Sequence, residues 1–167
     1  MKEFRDYDSL VAGSSFLDEK IGNYEDWLEF LSRIKNGSNE EKLCPNRQYF
    51  LIRENDNKII GLINIRYDLN EWMLKYGGNI GYSIRPTERR KGYNKINLFL
   101  ALEKCQEMGL KKVLLITDND NLASIKTIES LGGILNNKIK NEEGSGLIRR
   151  YYIDVDESLS SNKGLIK

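Results

Sequence analysis

Histidine is absent from the 167 residues, and only two cysteines and two prolines occur. Without an imidazole, Ser-His-Asp and Cys-His catalysis are excluded in their usual forms, and so are zinc sites that use histidine. Cys44 and Cys105 cannot close a four-cysteine metal site, and their separation fits no redox motif. No metal is expected. The two thiols read as reduced structural residues of a cytoplasmic protein, with a disulfide between them as the alternative. Charge of one sign is also lacking: 26 Lys and Arg stand against 25 Asp and Glu, a net of +1. A nucleic-acid-binding domain usually shows a basic face and a pI above about 9, so no nucleic acid partner is expected. No apolar run approaches the ~18 residues of a membrane helix, and the opening MKEFRDYDSL is too charged for a secretory signal. No membrane partner is expected, and the reading is a cytoplasmic protein.

What is present is material for a core. Hydrophobic residues make up 40% and charged residues 31%. That composition lies outside the disordered class, which combines low hydrophobicity with high net charge. The length fits one domain, expected over residues 1–155, with 156–167 a flexible tail.

Apolar positions Leu17, Ile21, Tyr24, Trp27, Leu28, Leu31 and Ile34 step by three and four, which predicts a helix over 17–34 stopped by Asn36-Gly37. Trp27, Tyr24 and Leu28 are expected to pack it on a sheet. A loop follows over 36–46. Tyr49 to Arg53 and Ile59 to Arg66 read as a hairpin around Asn55-Asp56-Asn57, with a bulge at Gly61. Residues 68–78 read as irregular or as one helical turn. Asn79 to Arg85 is a strand that Pro86 ends. A helix runs from Lys91 or Gly92 to Met108, burying Leu98, Ala101, Leu102, Cys105 and Met108, with Gly109 at its C′ position. Val113 to Thr117 is continuously apolar, as in a strand buried on both faces, and predicts parallel pairing. Asp118 to Asn121 offers an N-cap for a short helix through Leu122, Ile125, Ile128 and Leu131, closed by Gly132-Gly133. Two last strands lie near 134–140 and 147–153, where Tyr151 and Tyr152 should point one ring in and one out.

The chemistry concentrates where the strand 79–85 turns into a helix through Arg89-Arg90-Lys91-Gly92-Tyr93-Asn94. The first amides of a helix have no intrahelical partner and carry the positive end of its dipole. Phosphates bind there. Gly92 permits close approach of a ligand, and three cations flank it. The pattern is neither a P-loop nor a G-x-G-x-x-G fingerprint. An ordinary strand–loop–helix connection with solvated arginines stays open on spacing alone.

The stretch from Ile80 to Tyr93, containing Arg89-x-x-Gly92-x-Asn94, resembles motif A of the GNAT N-acetyltransferases. Asp120-Asn121-Leu122-Ala123-Ser124 followed by Leu131-Gly132-Gly133 resembles motif B, and the closing Arg149-Arg150-Tyr151-Tyr152-Ile153 resembles a bacterial subgroup. The resemblance implies an α/β fold: a GNAT-like mixed, mostly antiparallel central sheet, helices on both faces and one β-α-β crossover. It implies an acetyl-CoA-dependent N-acyltransferase that moves an acetyl group directly to a primary amine, as monomer or homodimer. Arg89, Arg90, Lys91, Gly92, Tyr93 and Asn94 would hold the pyrophosphate of acetyl-CoA. Tyr82, Ser83 and Ile84 would run beside its pantetheine, and Asn121 and Ser124 would face it near the sulfur.

The sequence departs from the family in three respects, one being the absence of a histidine that relatives commonly use. Asn94 replaces the final small residue of motif A, and Ile128 stands where relatives carry a proton-donating tyrosine. Ser124 becomes the candidate proton donor, ahead of Tyr93 and Tyr151, and Glu71 the candidate general base. Glu88 is expected to pair with Arg85 or Arg89. Trp72 and Tyr76 are candidate acceptor contacts. Two rival readings remain: a non-catalytic acyl-CoA-binding module, and an interaction domain using the Arg85–Lys91 patch.

Overall fold

A computed structural model describes residues 2–15, 23–34, 43–142 and 144–165. Its elements run α1 (Lys2–Asp6), α2 (Tyr24–Ile34), β1 (Asn46–Arg53), β2 (Lys58–Arg66), a π-helical turn (Met73–Gly77) and β3 (Ile80–Ile84). A 3-10 turn (Pro86–Glu88) leads to α3 (Tyr93–Glu107), β4 (Lys112–Asp118), α4 (Leu122–Glu129), β5 (Ile134–Lys140), β6 (Leu147–Asp154) and α5 (Val155–Ser161). The strands form two three-stranded sheets, ordered β1-β2-β3 and β4-β6-β5. Every ladder in them is antiparallel. The crossover helix α3 connects the edge strand of the first sheet, β3, to the edge strand of the second, β4.

One core spans both sheets. Leu98, Ala101, Leu102 and Cys105 recur at helical spacing on α3 and meet Ile63, Ile65 and Ile80 of one sheet and Val113, Leu115, Tyr151 and Ile153 of the other. Tyr49 packs toward this core. Its neighbour Phe50 points to the opposite face, as alternation along a strand requires. There it meets Trp27 of α2, ring centroids 5.9 Å apart. The helices therefore lie on both faces. Trp27 is 1% exposed, and its indole N–H donates to the carbonyl of Ser14 at 3.0 Å.

The two sheets are stitched at Asn79. Its backbone N–H donates to Leu114 O at 2.7 Å, and its carbonyl accepts from Arg66 N–H at 2.7 Å. Its side-chain oxygen accepts from Leu114 N–H at 2.8 Å, and its side-chain nitrogen donates to Arg66 O at 2.9 Å. Asn79 is thus the hinge between β2 and β4.

Several local expectations are corrected. The helix begins at Tyr24 among the described residues; Leu17, Ile21, the Asn36-Gly37 stop and most of the 36–46 loop lie outside them. Tyr24 and Leu28 are exposed, because Trp27 alone of that stripe's centre is turned to the sheet. The hairpin bulge falls on Ile60, between the pairs Leu51↔Gly61 and Ile52↔Ile59. Strand β4 is buried on both faces as expected, yet its ladder is antiparallel, with β6. The segment expected as a tail holds α5. Asp154 caps it by accepting from Glu157 N–H at 2.9 Å, and Ser158 Oγ donates to Leu131 O at 2.7 Å. Both cysteines are free and buried.

Replacing Asn79 by Ala should strand the buried Leu114 N–H and Arg66 carbonyl without their side-chain partners. An unsatisfied buried group costs about 1–3 kcal/mol, so urea denaturation should show a loss of about 2–4 kcal/mol. A loss below about 0.5 kcal/mol, the range of ordinary surface substitutions, would contradict the stitching role.

Candidate functional site

Beyond Asn79 the strands β3 and β4 have no ladder between them. Each is the edge of its own sheet, so among the described residues a strand edge with no ladder partner faces the gap. Tyr82, Ser83 and Ile84 form this stretch of β3, and their other edge is paired with Ile63, Leu62 and Gly61. The Ser83 hydroxyl is buried and has no partner among the described residues. Ile84 O accepts from Arg89 Nε at 3.0 Å.

The chain leaves β3 through the 3-10 turn and rises into α3. Arg90 and Gly92 both take positive φ, 63° and 84°. Gly92 is the N-cap of α3 and, lacking a side chain, supplies no cap hydrogen bond. No acid occupies the first turn of the helix. Among the described residues, the amides of Arg90, Lys91, Gly92, Tyr93 and Asn94 donate to no backbone carbonyl. A Cβ at Gly92 would meet nothing within 4 Å, so there is open space beside this residue. This row of donors at a positive helix end is a seat for a phosphate.

The seat is held from below by Glu88. Its carboxylate is buried and accepts from Lys58 at 2.7 Å, Lys91 at 2.9 Å and Arg53 at 3.0 Å. Hydrogen bonds from Lys58, then Lys91 and Arg53, hold its carboxyl at about 2, against the ordinary 4.5. The expected pairing with Arg85 or Arg89 is therefore corrected: the hairpin brings Arg53 and Lys58 closer. Arg53 also donates to the Tyr93 hydroxyl at 3.1 Å. Arg89, Arg90 and Lys91 are all exposed, and with Lys91 tied into this cluster Arg90 is the one of the three with no hydrogen bond or ion pair among the described residues.

The N-terminal segment holds the seat from its flank. Glu3 of α1 pairs with Arg85 and accepts from the Thr87 amide at 2.9 Å and the Thr87 hydroxyl at 2.8 Å. Arg89 donates to Ser9 Oγ at 2.6 Å and lies over the Phe4 ring at 5.9 Å. Sequence spacing could not reveal these contacts, because they join positions some eighty residues apart.

Asn94 turns away from the amide row. Its side chain donates to Thr127 Oγ1 at 2.9 Å, linking α3 to α4. Asn121 is the N-cap of α4 and accepts from Ser124 N–H at 3.1 Å. Ser124, half-buried in the first turn, shares a 2.7 Å hydrogen bond with the Tyr82 hydroxyl. Burial pushes that phenol up to about 12, with the Ser124 bond pulling the other way. Tyr82, Ser124, Asn94 and Asn121 are thus brought to one end of the gap.

Glu71 is exposed at the start of the turn preceding Met73–Gly77, and no hydrogen bond or ion pair joins it to Tyr82 or Ser124 among the described residues. Trp72 and Tyr76 lie with ring centroids 5.6 Å apart. The Tyr76 hydroxyl and Lys75 both donate to Glu142 in the β5–β6 turn. Arg150 reaches the same turn of chain, donating to Leu74 O at 2.9 Å.

The comparisons with known proteins point the same way. The family model described as an acetyltransferase (GNAT) domain matches residues 7–134. Among solved structures, a mutant spermidine/spermine N-acetyltransferase from Vibrio cholerae has a TM-score of 0.60 at 19% identity, covering 84% of each chain. A ribosomal-protein-S5-alanine acetyltransferase from Vibrio fischeri has a TM-score of 0.60 at 16% identity, covering 80% of this chain and 73% of its own. A GNAT-family acetyltransferase from Bacillus anthracis gives 0.58 at 18%, covering 86% and 81%. No curated protein matches the sequence.

Glu88 also makes a prediction about acid stability. Its folded pKa of about 2 lies below the ordinary 4.5, so its contribution is complete above about pH 4.5 and is lost as pH falls toward 2. Glu88→Gln should lower thermal stability at neutral pH, and the gap between variant and wild type should close across that window. A gap that stays constant down to acid pH would show that Glu88 is not the carboxylate the cations hold.

Proposed function

Because this chain belongs to the GNAT acetyltransferase family, we propose that it transfers an acetyl group from acetyl-CoA directly to a primary amine. The observation that carries the reading is the row of amides from Arg90 to Asn94 that donate to no backbone carbonyl among the described residues, set beside the edge of β3 that no strand pairs there. Bound acetyl-CoA supplies an activated thioester whose carbonyl an unprotonated amine can attack.

The chain's own residues then have distinct tasks. The amides of Arg90 to Asn94 accept the pyrophosphate, with the exposed Arg90 adding charge. Arg89 and Lys91 are bound into the fold, so their part is to shape the seat. The edge of β3 from Tyr82 to Ile84, apart from the Ile84 carbonyl that Arg89 holds, is offered to the amides of the pantetheine, and one N–H there polarises the acetyl carbonyl, an oxyanion-type stabilisation. Ser124 stands at the sulfur end, set by the Asn121 cap. Glu71 removes the amine's proton through water. The acyltransferase unit is the single domain expected over 1–155, to which α5 adds a buried face. It acts in the cytoplasm of a bacterium as a monomer or homodimer. No described helix is long and apolar enough to cross a membrane.

The acceptor class is a primary amine. The similar solved structures include a spermidine/spermine N-acetyltransferase and a ribosomal-protein-S5-alanine acetyltransferase, so the acceptor panel should span polyamines and protein amino groups. Calorimetry with acetyl-CoA should give micromolar binding, and Gly92→Glu, which puts bulk and negative charge over the amide row, should weaken it by about tenfold or more. Wild-type protein should then release free thiol with at least one amine. No binding would overturn the reading; binding with no thiol release from any amine would leave the non-catalytic acyl-CoA-binding module.

A further inference from the structure

The Tyr82–Ser124 bond has a direction. Tyr82 lies in β3, and its phenol meets one polar partner among the described residues, the Ser124 hydroxyl at 2.7 Å. A phenol is the better donor of the two, and the pair is partly buried, where a hydroxyl that donates nowhere is disfavoured. Burial holds the phenol protonated up to about pH 12. The geometry allows either hydroxyl to donate; with the phenol as donor, Ser124 accepts and the serine's own proton is left to point elsewhere. The Ser124 amide is already fixed by Asn121. The hydroxyl is thus constrained on two sides, at the end of the gap where α4 begins.

We propose that Tyr82 is a positioning residue: by donating to Ser124 Oγ it turns the serine proton into the gap, where it hydrogen-bonds the departing thiolate. The inference rests on the acetyl-CoA reading above and names how this chain works with Ile128 in place of the family tyrosine. The step balances without proton transfer from serine. The amine nitrogen forms its bond to the acetyl carbon, the carbon–sulfur bond breaks, the electron pair stays on sulfur, and the amine's proton goes to water. Ser124 stabilises the sulfur anion by a hydrogen bond. A hydroxyl donor to a thiolate lowers the thiol's pKa, and a tenfold change in its acidity corresponds to one pKa unit.

The test needs no acceptor. CoA bound to the protein is titrated by the ultraviolet absorbance of its thiolate, for wild type, Tyr82→Phe, Ser124→Ala and the double variant. Tyr82→Phe keeps the ring and its packing and removes only the hydroxyl; thermal melting checks that each variant folds. The bound thiol in wild type should titrate about one unit lower than in either single variant, and the double variant should match the singles. With the fastest amine, kcat should fall about tenfold, below the usual range for full general acid catalysis, while KM for acetyl-CoA stays unchanged. Bound thiol that titrates alike in all four proteins would overturn the positioning role. So would additive effects in the double variant. Failure of CoA to bind wild type in calorimetry would instead overturn the acetyl-CoA reading, a separate outcome.

Discussion

The structure depends on the stitch between Asn79 and Leu114. Two antiparallel sheets that share one core would ordinarily merge or pack face to face. Here their edge strands meet at one residue, which spends both backbone groups and both side-chain amide atoms on Arg66 and Leu114. Because α3 packs over both sheets, the edges are held near each other; among the described residues Asn79 is where they hydrogen-bond, and beyond it they form no ladder. A free β3 edge is the result. Exposed edges invite unwanted pairing, and one kept open inside a domain needs an occupant. An extended ligand with amides of its own fits that requirement.

The second constraint is electrostatic. The Arg85–Lys91 segment reads as a basic patch, but most of its charge is already used. Glu3 takes Arg85, Glu88 takes Lys91 with Arg53 and Lys58, and Arg89 is held by Ser9, Phe4 and the Ile84 carbonyl. What remains for a phosphate is chiefly neutral: amides at a helix end, with Arg90 beside them. This argues against a surface that binds polyanions by charge alone. It favours a ligand whose phosphates sit closely on the backbone, where Gly92 leaves room.

Much of this was legible in the sequence. The strands, α3, α4 and their caps follow from apolar spacing and from Gly92, Gly109, Asn121 and Gly132, since those signals are local. The amide seat was legible for the same reason: a strand, a proline turn and an uncapped helix start occur within fifteen residues. The partners of Glu88 were not, because Arg53 and Lys58 arrive through hairpin register, which spacing does not encode. Nor was the Asn79 stitch, in which one side chain completes a ladder between strands separated by a helix. Helix α5 carries only two apolar positions over seven residues, too few for a period, although its Asp154-x-x-Glu157 cap was readable. Tyr82 read as a strand residue beside a ligand; its bond to Ser124 required the crossover to be in place.

The account turns on the gap between β3 and β4 as the acyl-donor site, and backbone amide resonances report on it directly. Adding acetyl-CoA to isotopically labelled protein should shift the amides of Tyr82 to Ile84 and of Arg90 to Asn94 together, with one saturation curve, and should slow their hydrogen exchange. Shifts confined to other surfaces, or none at saturating acetyl-CoA, would contradict the assignment of the gap and of the chemistry built on it.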